Sequence, residues 1–119
     1  MAKVERFEDL IVWREAQRYA VDIYKITNSY PSHELYGIVS QIRRRAASIS
    51  ANIAEGFGRR SPNDKLHFCT IAYGSLLETK NFLYLSHSLN YLAKERLLEL
   101  LDQGTELQKL INAYKRPLV

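Results

Sequence analysis

The chain has 119 residues, 46% of them hydrophobic and 25% charged, the size and balance of one globular domain over 1–119. No apolar run approaches the roughly 18 residues of a membrane span, and residues 1–7 carry Lys3, Glu5 and Arg6 where a leader would be apolar. A single cysteine, Cys69, excludes an internal disulfide and a zinc cluster, and a cytoplasmic protein is expected. The net charge of +4 is placed locally: residues 31–60 hold Arg43, Arg44, Arg45, Arg59 and Arg60 against Glu34 and Glu55, and Lys115 and Arg116 lie near the end. Such an excess suits a polyanionic partner.

Four helices follow from period and punctuation. The first is predicted over 9–27, ending before Asn28, Ser29, Tyr30 and Pro31. It carries two apolar faces, one with Leu10, Trp13, Ala20, Val21 and Tyr24, the other with Val12, Ala16, Tyr19, Ile23 and Ile26. The second is predicted over 32–57 and stops at Gly56 and Gly58. Leu35, Ile38, Val39, Ile42, Ala46, Ile49 and Ile53 form its core stripe. Beside them run Gln41, Arg45, Ser48, Asn52, Glu55 and Arg59, three or four residues apart and therefore on one side. Polar groups next to a core need partners, which this stripe either supplies itself or finds in Ser75, Glu78 and Thr79 of the third helix.

The third helix is predicted over 62–89, with Ser61 as cap, Pro62 at the first helical position and Asp64 completing a capping-box-like pattern. It too has two apolar faces: Leu66, Cys69, Tyr73, Leu76, Leu77, Leu83 and Tyr84 on one, Phe68, Ile71, Ala72, Phe82, Leu85 and Leu89 on the other. The fourth, predicted over 93–114, is plainly amphipathic. Ala93, Leu97, Leu100, Leu101, Leu107, Ile111 and Tyr114 oppose Glu95, Glu99, Asp102, Glu106 and Lys109. Long helices on short loops predict an all-α, antiparallel, up-down-up-down four-helix bundle. Two helices with two apolar faces leave surface a monomer does not bury, so a homo-oligomer is expected.

Residues 41–58 read QIRRRAASISANIAEGFG, residues 7–16 read FEDLIVWREA, and residues 71–79 read IAYGSLLET. Together these resemble the four-helix bundle proteins encoded within intervening sequences of bacterial 23S ribosomal RNA genes. Accessory proteins of diversity-generating retroelements are similar more distantly. Arg45 departs from the small residue usual in the family. The resemblance implies an up-down bundle, often a pentameric ring, with no known enzymatic activity for most members. The retroelement relatives bind nucleic acid and a reverse transcriptase, a function that does not transfer directly to a stand-alone member.

The candidate binding residues are Arg43, Arg44, Arg59, Arg60, Lys115 and Arg116. Arg43 and Arg44 project away from the core stripe, and Arg59 and Arg60 precede a helix start, whose free N–H groups favour phosphate. RNA or DNA is the expected ligand class, through contacts that do not read sequence. The alternative is an interaction or assembly module for a protein partner. Gln41, Arg45, Ser48, Asn52, Glu55 and Glu78 are read as a structural polar stripe. Trp13 and Cys69 are read as core. His33, His67 and His87 are scattered, and His67 and Cys69 point in different directions. Glu55 and Glu78 lack the histidine-bearing motif of a di-metal bundle. No catalytic constellation, cofactor or metal site is expected.

Overall fold

Two backbone donors decide where the fold begins. The carboxylate of Asp9 accepts from the N–H groups of Glu5 and Arg6, each over 3.1 Å, and closes a short turn over Phe7–Asp9. Helix α1 therefore starts at Ile11, later than the sequence period suggests, and runs to Thr27. The structure, a computed structural model, describes residues 3–119; Met1 and Ala2, the first residues of the predicted domain, lie outside the described residues. Every regular element among the described residues is helical.

The second predicted helix is not continuous. A short 3-10 turn over Ser32–Glu34 leads into a widened, π-like turn over Leu35–Val39, and α2 proper spans Ser40–Phe57. The cause lies at Gly37, whose φ of −109° and ψ of −117° are not helical. A Cβ there would stand 2.5 Å from the Glu34 carboxylate, which is held in place by the Tyr91 hydroxyl over 2.8 Å. Glycine lets the chain pass close to that carboxylate.

Helix α3 spans Pro62–Ser88. The Asp64 N–H donates to Ser61 Oγ over 3.1 Å, and Pro62 occupies the first turn, where its missing N–H costs nothing. At the far end Asn90 adopts the left-handed φ of 65°. The Tyr91 N–H returns to the Ser86 carbonyl and the Asn90 N–H to His87, over 2.9 and 3.0 Å. This is a Schellman stop with Asn in the usual glycine place. After it, α4 spans Lys94–Lys115, with Ala93 as its unhelped cap, and a last turn covers Arg116–Leu118.

The core takes Val12, Ala16, Tyr19 and Ile23 from α1, Ile42, Ala46, Ile49 and Ile53 from α2, and Leu97, Leu100, Leu107 and Ile111 from α4. Each fully buried Leu or Ile is worth about 1.5–3 kcal/mol relative to exposure. Helix α3 follows its first predicted apolar face only in part, through Cys69, Leu76 and Leu83. It buries Cys69, Ala72, Leu76 and Leu83 together with Ser75, Thr79 and Ser86. The Thr79 and Ser86 hydroxyls donate to carbonyls of their own helix, Ser75 and Phe82, over 2.8 and 2.7 Å, so they enter the core satisfied.

Pairing between helices runs in opposite senses. Arg45, Ser48 and Gly56 of α2 meet Glu78, Ser75 and Phe68 of α3 in that order. Lys80 and Tyr73 of α3 meet Thr105 and Gln108 of α4. At Gly56 a Cβ would lie 2.8 Å from Phe68 Cβ, so this glycine sets how closely α2 and α3 cross.

Candidate functional site

The polar stripe of α2 is brought against α3. Asn52 Nδ2 donates to the carbonyl and hydroxyl of Ser48, 2.8 Å each, and Ser75 Oγ donates to Ser48 Oγ over 3.0 Å. Arg45 Nε stands 3.2 Å from Glu78 Oε2 as an ion pair whose angle falls short of a hydrogen bond. Both side chains are well exposed, which limits the pair to about 0–1 kcal/mol. Glu55 does not join Glu78. It pairs with Arg59 over 2.8 Å, ten residues further along α2, or about 15 Å. Gln41 is exposed to solvent.

The six basic candidates do not form one patch. Arg43 and Arg44 lie near the start of α2 and Arg59 and Arg60 just past its end, so Arg44 and Arg59 are separated by about 22 Å of helix. Arg43 does not project away from the core stripe as expected. Its Nε donates to Thr27 Oγ1 over 2.8 Å and its NH2 to Asn28 Oδ1 and the Tyr24 carbonyl over 3.0 and 3.3 Å. Its guanidinium carbon lies 4.8 Å from the centre of the Tyr24 ring. Arg43 thus locks the end of α1 to α2. Arg59 is similarly occupied, by Glu55 and by the Phe68 ring at 4.9 Å, and Lys115 lies 5.8 Å from the Tyr73 ring centre. Arg44, Arg60 and Arg116 are exposed and make no ion pair among the described residues.

Among the described residues apolar surface stays open in several places, one beside Ile11 and Leu110, and two others that concern α3 and the α1–α2 seam. Ile71, Leu77, Tyr84 and Leu85 of α3 and Leu89 just past its end are each between 36% and 57% exposed and lie on the side away from the buried row. Gly74 sits among them, and a Cβ added there would meet nothing within 4 Å. Glycine in mid-helix costs roughly 0.5–1 kcal/mol against alanine, and nothing among the described residues accounts for it. The surface at the seam is a groove of about 370 Å3 between α1 and α2, floored by Ala47, Ala51 and Ala54 and walled by Trp13, Val21 and Tyr24. Trp13, half-buried, stands edge-on to Phe7 at 5.1 Å.

Sequence reasoning missed Tyr36, which is 92% exposed in the turn before α2. The available signal was its position beside, rather than within, the stripe of Ile38, Val39 and Ile42. Cys69 is buried, which pushes its thiol above the usual range, and it is therefore a poor nucleophile. No group of three or more His, Cys, Asp or Glu side chains among the described residues is placed to hold a metal ion. No helix among them is long and apolar enough to cross a membrane.

These features define an all-α protein of four helices, without strands among the described residues. The chain belongs to the 23S rRNA-intervening sequence protein family, whose model matches residues 8–113. It is also similar to a solved structure from Bacteroides thetaiotaomicron, described as a protein with unknown function from the S23 ribosomal protein family. The TM-score is 0.79 at 27% identity, over 89% of this chain and 99% of that one. Among curated proteins there is no match.

Proposed function

We propose that this protein works by binding rather than by catalysis, as a cytoplasmic up-down-up-down bundle that assembles into a homo-oligomer with RNA or DNA as its ligand class. The observation that carries the assembly is the outer face of α3. Exposed apolar side chains recur along it from Ile71 to Leu89, and between Ile71 and Leu77 stands a glycine that nothing among the described residues requires. The groove between α1 and α2 offers a second copy an apolar channel with a floor of small residues. A raised apolar helix on one side and an apolar groove on another make a head-to-tail contact between unlike surfaces. Such contacts close into rings when the rotation allows, and the family resemblance favours five copies. The opposed pairing of α2 with α3 and of α3 with α4 supports the up-down order. Arg44, Arg60 and Arg116, which make no ion pair among the described residues, support the polyanionic ligand.

Molar mass by light scattering tests the assembly. The parent protein should be an oligomer and Leu77→Glu a folded monomer. Gly74→Ala should stabilise an isolated chain by about 0.5–1 kcal/mol yet weaken the oligomer, because the added methyl group stands on the contact face. A monomeric parent protein overturns the proposal.

A further inference from the structure

The groove at the head of α2 combines exposed aromatic rings with unneutralised positive charge. Its volume is about 390 Å3, within the roughly 300–1,000 Å3 of small-ligand clefts, and it is lined by Tyr24, Leu35, Tyr36, Ser40, Arg43 and Arg44. No carboxylate lines it.

We infer that this groove binds single-stranded nucleic acid, with an unstacked base against Tyr36 and the adjoining phosphate on Arg44. The inference rests on nucleic acid being the ligand class. Three observations support it. First, Tyr36 gives the fold nothing: its ring is 92% exposed, while the next residues but one, Ile38 and Val39, are buried and anchor the turn. Second, the turn is held in place rather than frayed. Gly37 passes close to Glu34, whose carboxylate accepts from the hydroxyl of Tyr91 in the turn between α3 and α4. A widened turn of this kind often marks a functional position. Third, the two arginines divide the work. Arg43 gives its N–H groups to Thr27, Asn28 and Tyr24, and its stacked guanidinium fixes the Tyr24 ring at the groove wall. Arg44 remains exposed with no carboxylate on it among the described residues, so its donors are open to phosphate.

The aromatic element selects the strand state. Bases in a duplex are already stacked on one another, whereas a single strand presents free base faces to an aromatic ring. Stacking is tolerant of base identity, so little sequence preference is expected.

The experiment is fluorescence anisotropy of the full chain with a labelled ten-nucleotide oligo-dT and with a labelled duplex of the same length, at low and moderate salt. A poly-glutamate peptide of similar charge serves as rival. Oligo-dT should bind more tightly than duplex or peptide. Tyr36→Ala should weaken it roughly tenfold and Tyr36→Phe should not. Arg44→Ala should weaken binding and lower the salt slope by about 0.7. The exposure of Tyr36 and Arg44 leaves folding intact, which circular dichroism checks. If oligo-dT binds but ignores Tyr36→Ala and responds instead to Arg59→Ala with Arg60→Ala, the site is overturned while the nucleic-acid reading stands. Equal binding of the peptide or the duplex likewise overturns it. If no nucleic acid binds at low salt, both readings fall.

Discussion

The hydroxyl of Tyr19 faces the backbone of Gly104 so closely that a methyl group on the glycine would stand 3.0 Å from the phenol oxygen. Tyr19 is fully buried and its hydroxyl has no hydrogen-bond partner among the described residues. The same missing methyl would lie 2.8 Å from Lys80 Cε, and Lys80 is pinned by Thr105 Oγ1 at 2.9 Å and by Gln108 Oε1. Gly104 is therefore a packing glycine, where α4 closes over a lysine stem and an orphaned phenol.

An unsatisfied buried hydroxyl costs about 1–3 kcal/mol. Tyr19→Phe keeps the ring and removes the orphan, so it should stabilise the protein by about 1 kcal/mol. Gly104→Ala should destabilise it by a similar amount despite the better helix propensity of alanine, because overpacking a filled site costs about 1–3 kcal/mol. The loss should shrink in the Tyr19→Phe background, where the phenol oxygen is gone. Urea unfolding of the two single variants and the double variant measures this coupling. Additive effects would mean that the two sites do not meet.

Arg43 is the second case. Thr27 is 2% exposed and its Oγ1 both donates to the Ile23 carbonyl and accepts from Arg43. Arg43→Ala removes three hydrogen bonds and a stacked guanidinium, and should cost about 2 kcal/mol. Arg43→Lys should recover only part of it, since an ammonium does not reproduce a planar fork that bonds three acceptors. Thermal melting distinguishes the two variants. A neutral Arg43→Ala would return this residue to the role of a free surface cation.

How much of this was legible in the sequence varies from residue to residue. Ser61, Pro62 and Asp64 announced the start of α3 because capping is local chemistry. The placing of Arg45, Ser48 and Asn52 on one side of α2 was legible because it needs only helical geometry. The break at Gly37 was not, since Leu35, Ile38, Val39 and Ile42 keep a helix-like spacing across it and the cause, Glu34 held by Tyr91, lies 57 residues away in sequence. The buried row of α3 was legible only in part, since Cys69, Leu76 and Leu83 lie on one predicted face while Ala72, Ser75, Thr79 and Ser86 do not. Ser75, Thr79 and Ser86 read as polar, yet Thr79 and Ser86 satisfy themselves within the helix and can be buried. The candidate basic set looked uniform because side-chain partners, such as Thr27 for Arg43, are set by packing.

The turn between α3 and α4 gives a local test. Asn90 holds φ at 65°, which is costly for residues with a Cβ, though Asn tolerates it better than most. Asn90→Gly should be neutral or stabilising by up to about 0.5 kcal/mol, and Asn90→Ala should destabilise by about 1 kcal/mol. Guanidinium midpoints at constant slope decide it. If alanine is tolerated as well as glycine, the stop does not depend on the left-handed residue.

The buried phenols set the response to alkali. Burial raises the hydroxyls of Tyr19, Tyr30 and Tyr114 above the ordinary value of 10.0. Below pH 10 the phenols are neutral in both the folded and the unfolded chain, and stability does not depend on them. Above pH 10 the unfolded chain releases these protons while the folded chain keeps them, so stability falls as pH rises. Each such phenol contributes a slope of up to about 1.4 kcal/mol per pH unit. Lys80 is shifted the other way by burial and opposes the fall over part of the range. Comparing the parent protein with Tyr19→Phe cancels that opposition. The variant's stability should decline less steeply between pH 10 and 11.5, by one proton's worth of slope, in urea titrations at each pH. Parallel curves for the two proteins would show that Tyr19 ionises as readily in the fold as in water, and that the hydroxyl is not sealed beneath α4.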